Sequence, residues 1–123
     1  CVPNVRTITV SSGMGKATRS RHLQAALECS AHSPCIIITT YGLIGSSPLD
    51  FTHDQFAWDY MVLDEAHKIK NPSAQVSKSC RRVARDPSTH RLILTGTPIM
   101  NNLKELWALF EFATSGKVLG TLP

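Results

Sequence analysis

The sequence predicts an α/β fold in which parallel strands alternate with helices. Short β-branched or apolar runs recur along the 123 residues, and segments with helical spacing of apolar residues separate them. Residues rich in Gly, Ser and Pro mark the turns between the two kinds of segment. Strands separated by helices form βαβ units, so we expect a parallel sheet flanked by helices in a three-layer arrangement.

Four segments have the composition of strands. Residues 5–10 alternate and are β-branched, and residues 35–40 (Cys-Ile-Ile-Ile-Thr-Thr) resemble a buried strand. The run 60–63 (Tyr-Met-Val-Leu) is continuously apolar, which predicts burial on both faces of the sheet. The predicted strands span residues 5–10, 35–40, 60–63 and 90–94.

Four segments have the pattern of helices, and residues 45–54 form a loop. The first helix places Leu23, Ala26 and Leu27 on one face. Thr40 is suited to cap the second helix, and Pro72 and Ser73 lie near the start of the third. The predicted helices span residues 16–30, 41–44, 73–85 and 101–113. The apolar face of the last helix is predicted to consist of Leu103, Leu106, Trp107 and Phe110.

The composition is that of one domain or part of one. The net charge of +4 is compatible with a nucleic-acid partner, although it fits many other proteins. No run reaches the roughly 18 apolar residues of a membrane span. The chain begins with neither an initiator Met nor a signal peptide, and we interpret it as the middle of a longer protein.

The cysteines Cys1, Cys29, Cys35 and Cys80 show no paired spacing. The set Cys29, His32 and Cys35 is a poor match to a zinc site. Thiols in a reducing compartment are the favoured interpretation.

The adjacent acids Asp64 and Glu65 directly follow the predicted strand 60–63. This position puts them at the carboxyl edge of a parallel sheet, where open α/β folds bind ligands. One carboxylate is suited to hold Mg²⁺, and its neighbour to polarise an attacking water, as nucleotide hydrolysis requires. The structural alternative is a solvated pair of loop acids.

Two further strand ends carry hydroxyl groups. Thr95, Gly96 and Thr97 follow the strand 90–94, where Gly96 permits an unusual backbone angle and the hydroxyls are suited to sense a phosphate. A plain strand-to-helix turn explains this segment equally well. Thr39, Thr40 and Tyr41 lie at another strand-to-helix junction, which suits a backbone phosphate but is more often only a helix cap.

The segment 13–17 (Gly-Met-Gly-Lys-Ala) superficially resembles a phosphate-binding loop. The full pattern needs Gly where this chain has Val10 and a hydroxyl residue where it has Ala17. We therefore interpret the segment as a solvated loop that enters a helix.

The order of these motifs closely resembles that of the Swi/Snf-type helicase-like ATPases. Four segments carry the resemblance: Ile-Thr-Thr-Tyr at 38–41, the DEAH box Asp-Glu-Ala-His-Lys-Ile-Lys-Asn at 64–71, Leu-Thr-Gly-Thr-Pro-Ile-Met-Asn-Asn at 94–102 and Asn-Leu-Lys-Glu-Leu-Trp-Ala-Leu-Phe at 102–110. Trp-Asp-Tyr at 58–60, Phe-Ala at 112–113 and Gly-Thr-Leu at 120–122 resemble the excision-repair subgroup.

The resemblance implies that residues 1–123 are the C-terminal portion of the first RecA-like lobe, without the strand of the phosphate-binding loop. By matching position, Asp64 would coordinate the Mg²⁺ of bound ATP and Glu65 would activate water. His67 would link the acidic box to Thr95, Gly96 and Thr97, which would couple hydrolysis to movement. Thr39, Thr40 and Tyr41 would lie near the backbone of double-stranded DNA. The implied partners are DNA or chromatin and a second RecA-like lobe, in the nucleus.

Departures from the family pattern limit these expectations. The chain contains no complete phosphate-binding loop and no second lobe, so we expect negligible ATPase activity from it alone. Met100 stands where the family normally has Gln, and a thioether cannot replace the hydrogen bonds of an amide. RNA helicases share the acidic box and are the main competing class. They usually carry Ser-Ala-Thr where this chain has Thr95, Gly96 and Thr97, which argues against that class.

A non-catalytic module that binds DNA or protein is the alternative from a different class. The basic face of the helix 73–85 is most simply a solvated surface, with DNA contact as the other interpretation. It consists of Lys78, Arg81, Arg82 and Arg85.

Overall fold

The computed structural model describes residues 4–29, 33–52, 54–96 and 102–117. Strands and helices alternate in the predicted order. The strands are β1 (Arg6–Thr9), β2 (Cys35–Ile38), β3 (Tyr60–Leu63) and β4 (His90–Ile93). The helices are α1 (Lys16–Leu27), α2 (Tyr41–Ser46), α3 (Gln75–Val83) and α4 (Leu103–Thr114). Two 3-10 helices, Pro48–Phe51 and Ala66–Ile69, lie in segments for which the sequence predicted no helix.

The strands form two parallel pairs. Ile8 of β1 lies opposite Ile37 of β2, and Val62 of β3 lies opposite Leu92 of β4. The predicted α/β class with parallel strands flanked by helices is therefore confirmed. The described strands differ from the expected single sheet, because β2 and β3 share no ladder and the pairs remain separate.

Among the described residues, only one face of the strands is packed. Residues of all four helices join Ile8 and Leu63 in one hydrophobic core, against which Ile37, Met61 and Ile93 pack. Alternate residues point away, and five of them are 48 to 65% exposed: Ile36, Ile38, Tyr60, Val62 and Leu92. The predictions that residues 35–40 are buried and that residues 60–63 are buried on both faces were therefore wrong. The described helices cover the face that carries Ile37, Met61 and Ile93 and leave the alternate residues exposed.

The predicted apolar face of the last helix is also wrong. Leu103 is 83% exposed and Phe110 is 49% exposed, whereas Ala108, Leu109 and Phe112 are buried. The helix is apolar on several sides, so periodicity alone does not select the side that packs. In α1, Leu23 and Ala26 are buried as predicted, but Leu27 is 42% exposed.

The helix ends have identifiable causes. The Thr40 hydroxyl accepts a hydrogen bond from the Leu43 amide at 3.2 Å, which confirms its predicted role as the cap of α2. The Asn102 side chain likewise accepts from the Lys104 amide at the start of α4. That helix ends at Thr114, and the next two residues have left-handed backbones, Ser115 with φ 56° and Gly116 with φ 71°. The Gly116 amide donates to the Glu111 carbonyl, which closes the end of the helix. Helix α3 begins only at Gln75, after Pro72 and Ser73.

An ion pair joins α3 to α4. Arg81 Nη2 and Nε lie 2.8 and 2.9 Å from Glu111 Oε2, and each side chain is 25% exposed. Arg81 is therefore not part of a free basic face, whereas Lys78, Arg82 and Arg85 are partly or fully open to solvent. None of the helices in the described segments is long and apolar enough to cross a membrane.

Candidate nucleotide-binding edge

The acidic pair is positioned by the buried residues on either side of it. Leu63 ends β3 in the core, and Ala66 and Ile69 of the following 3-10 helix are fully buried. With these neighbours anchored, Asp64 and Glu65 lie on the exposed outer side of the turn. The local sequence thus presents two carboxylates to solvent at the carboxyl end of a strand.

Glu65 has a strained backbone. Its φ and ψ are both 50°, in the left-handed region that side-chain-bearing residues rarely adopt. The Asp64 carboxylate stabilises the turn, because its Oδ1 accepts a hydrogen bond from the Glu65 amide at 2.9 Å. Such strain costs on the order of 1 kcal/mol or more and is concentrated at functional sites.

His67 contacts Glu65. Its Nδ1 lies 3.1 Å from Glu65 Oε2, with side chains 36% and 53% exposed, but the two groups do not align as a hydrogen bond. From the family resemblance, His67 was expected to link the acidic box to Thr95. Among the described residues, His67 instead contacts Glu65, which belongs to the acidic box itself.

Backbone hydrogen bonds join the acidic turn to the end of β4. The Leu94 amide donates to the Leu63 carbonyl at 2.8 Å, and the Ala66 amide donates to the Leu94 carbonyl at 2.9 Å. Thr95 follows directly, so Asp64, Glu65 and Thr95 lie at one edge of the β3–β4 pair. Parallel pairing thus brings together two motifs that are separate in sequence.

The remaining residues of the threonine motif differ from expectation or lie outside the description. Gly96 has no left-handed φ, and a Cβ built on it meets nothing within 4 Å. The unusual backbone angle expected at Gly96 occurs at Glu65 instead. Thr97 lies outside the described residues, as does Met100.

The Thr39–Tyr41 segment is tied to the acidic turn through a side chain. The Tyr41 hydroxyl donates a 2.6 Å hydrogen bond to the Asp64 carbonyl oxygen, and burial raises the pKa of this phenol above its usual range. The Thr40 hydroxyl caps α2, and Thr39 Oγ1 is buried without a partner among the described residues. No local pattern predicts the tyrosine contact, because its partners are 23 residues apart.

Helices α3 and α4 hold the segment after the acidic pair. The buried Ser77 hydroxyl lies 3.1 Å from the Ile69 carbonyl and 2.6 Å from the Asn71 carbonyl. Lys70 Nζ lies 3.2 Å from Glu105 Oε1 at the start of α4. The sequence did not single out either contact, because the burial of Ser77 and the approach of Lys70 to Glu105 both depend on how the helices pack.

The carboxylates of Asp64 and Glu65 are suited to a cation that is also coordinated by phosphate groups. No group of three or more His, Cys, Asp or Glu side chains within the described segments is arranged to bind a metal by itself. Mg²⁺ typically takes one or two carboxylates together with substrate phosphates and water. Asp64 and Glu65, exposed at a sheet edge, match that donor set.

Comparisons with known proteins identify the family of this chain. A family profile described as "SNF2-related domain" matches residues 5–120. The chain is 44% identical to human DNA excision repair protein ERCC-6-like over 123 residues, covering 98% of this chain and 9% of that protein. It is 48% identical to yeast DNA repair and recombination protein RAD26 over 107 residues, covering 85% and 9%.

A third relative is human DNA excision repair protein ERCC-6, with 48% identity over 93 residues, or 76% of this chain and 6% of that protein. The chain belongs to the SNF2-related domain family, within the excision-repair subgroup. It spans less than a tenth of the length of these relatives.

Proposed function

We propose that this chain is part of the first RecA-like lobe of a Swi/Snf-type motor that couples ATP hydrolysis to movement on double-stranded DNA. The observation that carries the proposal is the shared edge of β3 and β4. There, two hydrogen bonds through Leu94 hold the acidic turn beside Thr95. Family membership supports the same activity class.

The positions of the individual residues support the roles that we assign to them. We assign Asp64 to the Mg²⁺ of ATP, a cation that neutralises charge on the phosphates. Glu65 polarises the attacking water, and the adjacent His67 orients that carboxylate and links the acidic box to Thr95, Gly96 and Thr97. These three residues couple hydrolysis to movement.

DNA contact is assigned to the segment Thr39, Thr40 and Tyr41. The Tyr41 hydrogen bond supports a mechanical connection, since any movement of this segment acts directly on the Asp64 backbone. The net charge of +4 favours a polyanionic partner. In this proposal the partners are double-stranded DNA or chromatin and a second RecA-like lobe, and the protein acts in the nucleus.

The chain by itself is expected to turn ATP over negligibly, because its segment 13–17 does not complete a phosphate-binding loop. The test is therefore DNA-stimulated ATP hydrolysis by the longest natural polypeptide that contains these residues. Asp64→Asn should abolish the stimulated rate. Asp59→Asn is the same change at the opposite end of β3 and should leave the stimulated rate within about twofold of wild type. Asp59 is exposed and remote from the site, and substitutions of such residues have small effects.

Equal rates in the two variants would contradict the assignment.

The second candidate function is a non-catalytic module that binds DNA or protein. The exposed basic side chains Lys78, Arg82 and Arg85 favour it, because they suit a polyanionic partner. It predicts DNA binding that persists in Asp64→Asn and Glu65→Gln and does not respond to ATP.

A further inference from the structure

Two thiols lie where α1 ends and β2 begins. Cys29 follows the last residue of α1 by two positions, and Cys35 is the first residue of β2. Both are free and partly exposed, whereas Cys80, the third free cysteine among the described residues, is fully buried. The first two thiols are therefore accessible to a small reagent in the folded protein, and the third is not.

One carbonyl oxygen brings the two cysteines together. The Ala26 oxygen accepts a hydrogen bond from the Cys29 amide at 3.2 Å, and the Cys35 sulfur lies 4.0 Å from the same oxygen. The Cys29 sulfur lies 3.8 Å from the carbonyl oxygen of Ala25. The two side chains thus contact consecutive carbonyls of one helical turn, although five residues separate them along the chain.

The two thiols also interact with each other. The pKa of Cys35 is raised to about 11, first by burial and then by a hydrogen bond to the Cys29 thiol. The Arg6 guanidinium, whose residue lies opposite Cys35 in the β1–β2 ladder, acts in the other direction but more weakly. Cys35 is therefore held as a neutral thiol beside its neighbour.

We propose that Cys29 and Cys35 form an intramolecular disulfide when hydrogen peroxide oxidises the folded protein. A disulfide brings two Cβ atoms to about 4 Å from each other. Thiols that already interact reach this separation by rotation about their side-chain bonds. Disulfides inside cells are usually transient and redox-sensing, which suits a pair of partly exposed thiols that a thiol reductant restores.

The reaction has two steps. Cys29 is assigned to the first step, because the thiolate is the nucleophile and Cys35 is held in its neutral form. The Cys29 sulfur attacks one peroxide oxygen, the O–O bond breaks, and a sulfenic acid forms while the leaving hydroxide takes up the thiol proton as water. The Cys35 sulfur then attacks the Cys29 sulfur, the S–O bond breaks, and the leaving hydroxide takes the Cys35 proton. Two thiols are oxidised to one disulfide, and one hydrogen peroxide is reduced to two waters.

The disulfide fastens α1 to the β1–β2 pair. One contact already holds the helix there, because His22 Nδ1 lies 2.7 Å from the carbonyl oxygen of Thr9, the last residue of β1. With the disulfide, α1 is tied to β1 at its middle and to β2 at its C-terminal end. Oxidation therefore stabilises this part of the fold by closing a short loop.

The test uses the longest natural polypeptide that contains these residues, treated with hydrogen peroxide. The peroxide is then removed, the protein is unfolded, and free thiols are alkylated before digestion with trypsin. The fragment 22–68 contains both cysteines and no internal Lys or Arg, so its mass reports on the pair. That fragment is expected to be lighter by two hydrogens and to carry no alkyl group. Cys80, in the fragment 79–81, should be alkylated as before.

Two variants separate the steps. Cys35→Ser should accumulate a sulfenic acid on Cys29, which dimedone traps. Cys29→Ser should give at least about tenfold less dimedone label on Cys35, because the neutral thiol reacts slowly. Equal labelling of the two variants would overturn the assignment of Cys29 to the first step.

Amide hydrogen exchange reports whether the disulfide fits the folded protein. Exchange in α1 should slow by about tenfold after oxidation of the wild-type protein and recover on reduction with dithiothreitol, because the closed loop opposes local opening. Three results would overturn the proposal: full alkylation of both cysteines after peroxide, disulfides between chains, or faster exchange in α1. The last would show that the disulfide strains the native contacts instead of fitting them.

Discussion

The Tyr41 hydroxyl and the Asp64 carbonyl oxygen lie 2.6 Å apart and connect the carboxyl ends of β2 and β3. This side-chain contact crosses between strands that share no ladder. It therefore places the predicted DNA-facing segment and the acidic turn in one structural unit.

Removing this hydroxyl should loosen that unit. Tyr41→Phe keeps the ring but leaves the Asp64 carbonyl without its donor, which should lower the free energy of unfolding by about 1 kcal/mol. Urea denaturation measures the change. Tyr60→Phe is the matched control, because Tyr60 is 65% exposed, and it should stay within about 0.5 kcal/mol of wild type. Equal effects would show that the Tyr41 bond contributes nothing specific.

The two ion pairs to α4 should differ in strength. Arg81 and Glu111 are each 25% exposed, whereas Lys70 and Glu105 are 50% and 29% exposed. A double-mutant cycle should give a coupling of about 1 kcal/mol for the first pair and about 0.3 kcal/mol for the second. The order of the two couplings is the result to check, and a reversed order would contradict the account.

The left-handed backbone at Glu65 predicts an unusual preference for glycine. Glu65→Gly should be more stable than Glu65→Ala by about 1 kcal/mol, because alanine retains the Cβ strain at φ 50°. Thermal unfolding of both variants tests this. At Glu28, an exposed position at the end of α1 with φ −78°, the same pair of substitutions should not favour glycine.

Alkaline pH should destabilise the protein partly through Cys80. Burial raises the pKa of this thiol from 9.0 to about 11. The buried neutral thiol therefore contributes stability that is fully present below pH 9 and is lost as pH rises through about 11. Cys80→Ala should lose less stability than wild type over this pH interval, as measured by urea denaturation at each pH. If the free energy of unfolding fell in parallel for the two proteins, the buried Cys80 thiol would not be the cause.

The sequence predicted the alternation of elements because apolar runs and turn residues act locally. It also predicted the shared edge of Asp64 and Thr95, since parallel strands align their carboxyl ends. These features depend on short-range patterns and on general rules of chain connection.

The errors arose where distant contacts decide the outcome. Phe110 and Phe112 are both apolar, and the packing of α4 against β4 and the 3-10 helix Ala66–Ile69 selects Phe112 for burial. The exposure of Val62 likewise depends on which face the helices cover. Strain at Glu65 rather than Gly96 reflects the anchoring of Leu63 and Ala66, which residue type alone does not reveal.

The most direct test of the central claim is a comparison of ATP binding and hydrolysis by the longest natural polypeptide that contains Glu65, with and without duplex DNA. The account predicts that Glu65→Gln binds ATP as wild type does but loses at least about 100-fold in DNA-stimulated hydrolysis, as removal of a catalytic base does. Glu28→Gln should retain full activity. Normal hydrolysis by Glu65→Gln would contradict the assignment of this edge as the site of nucleotide hydrolysis.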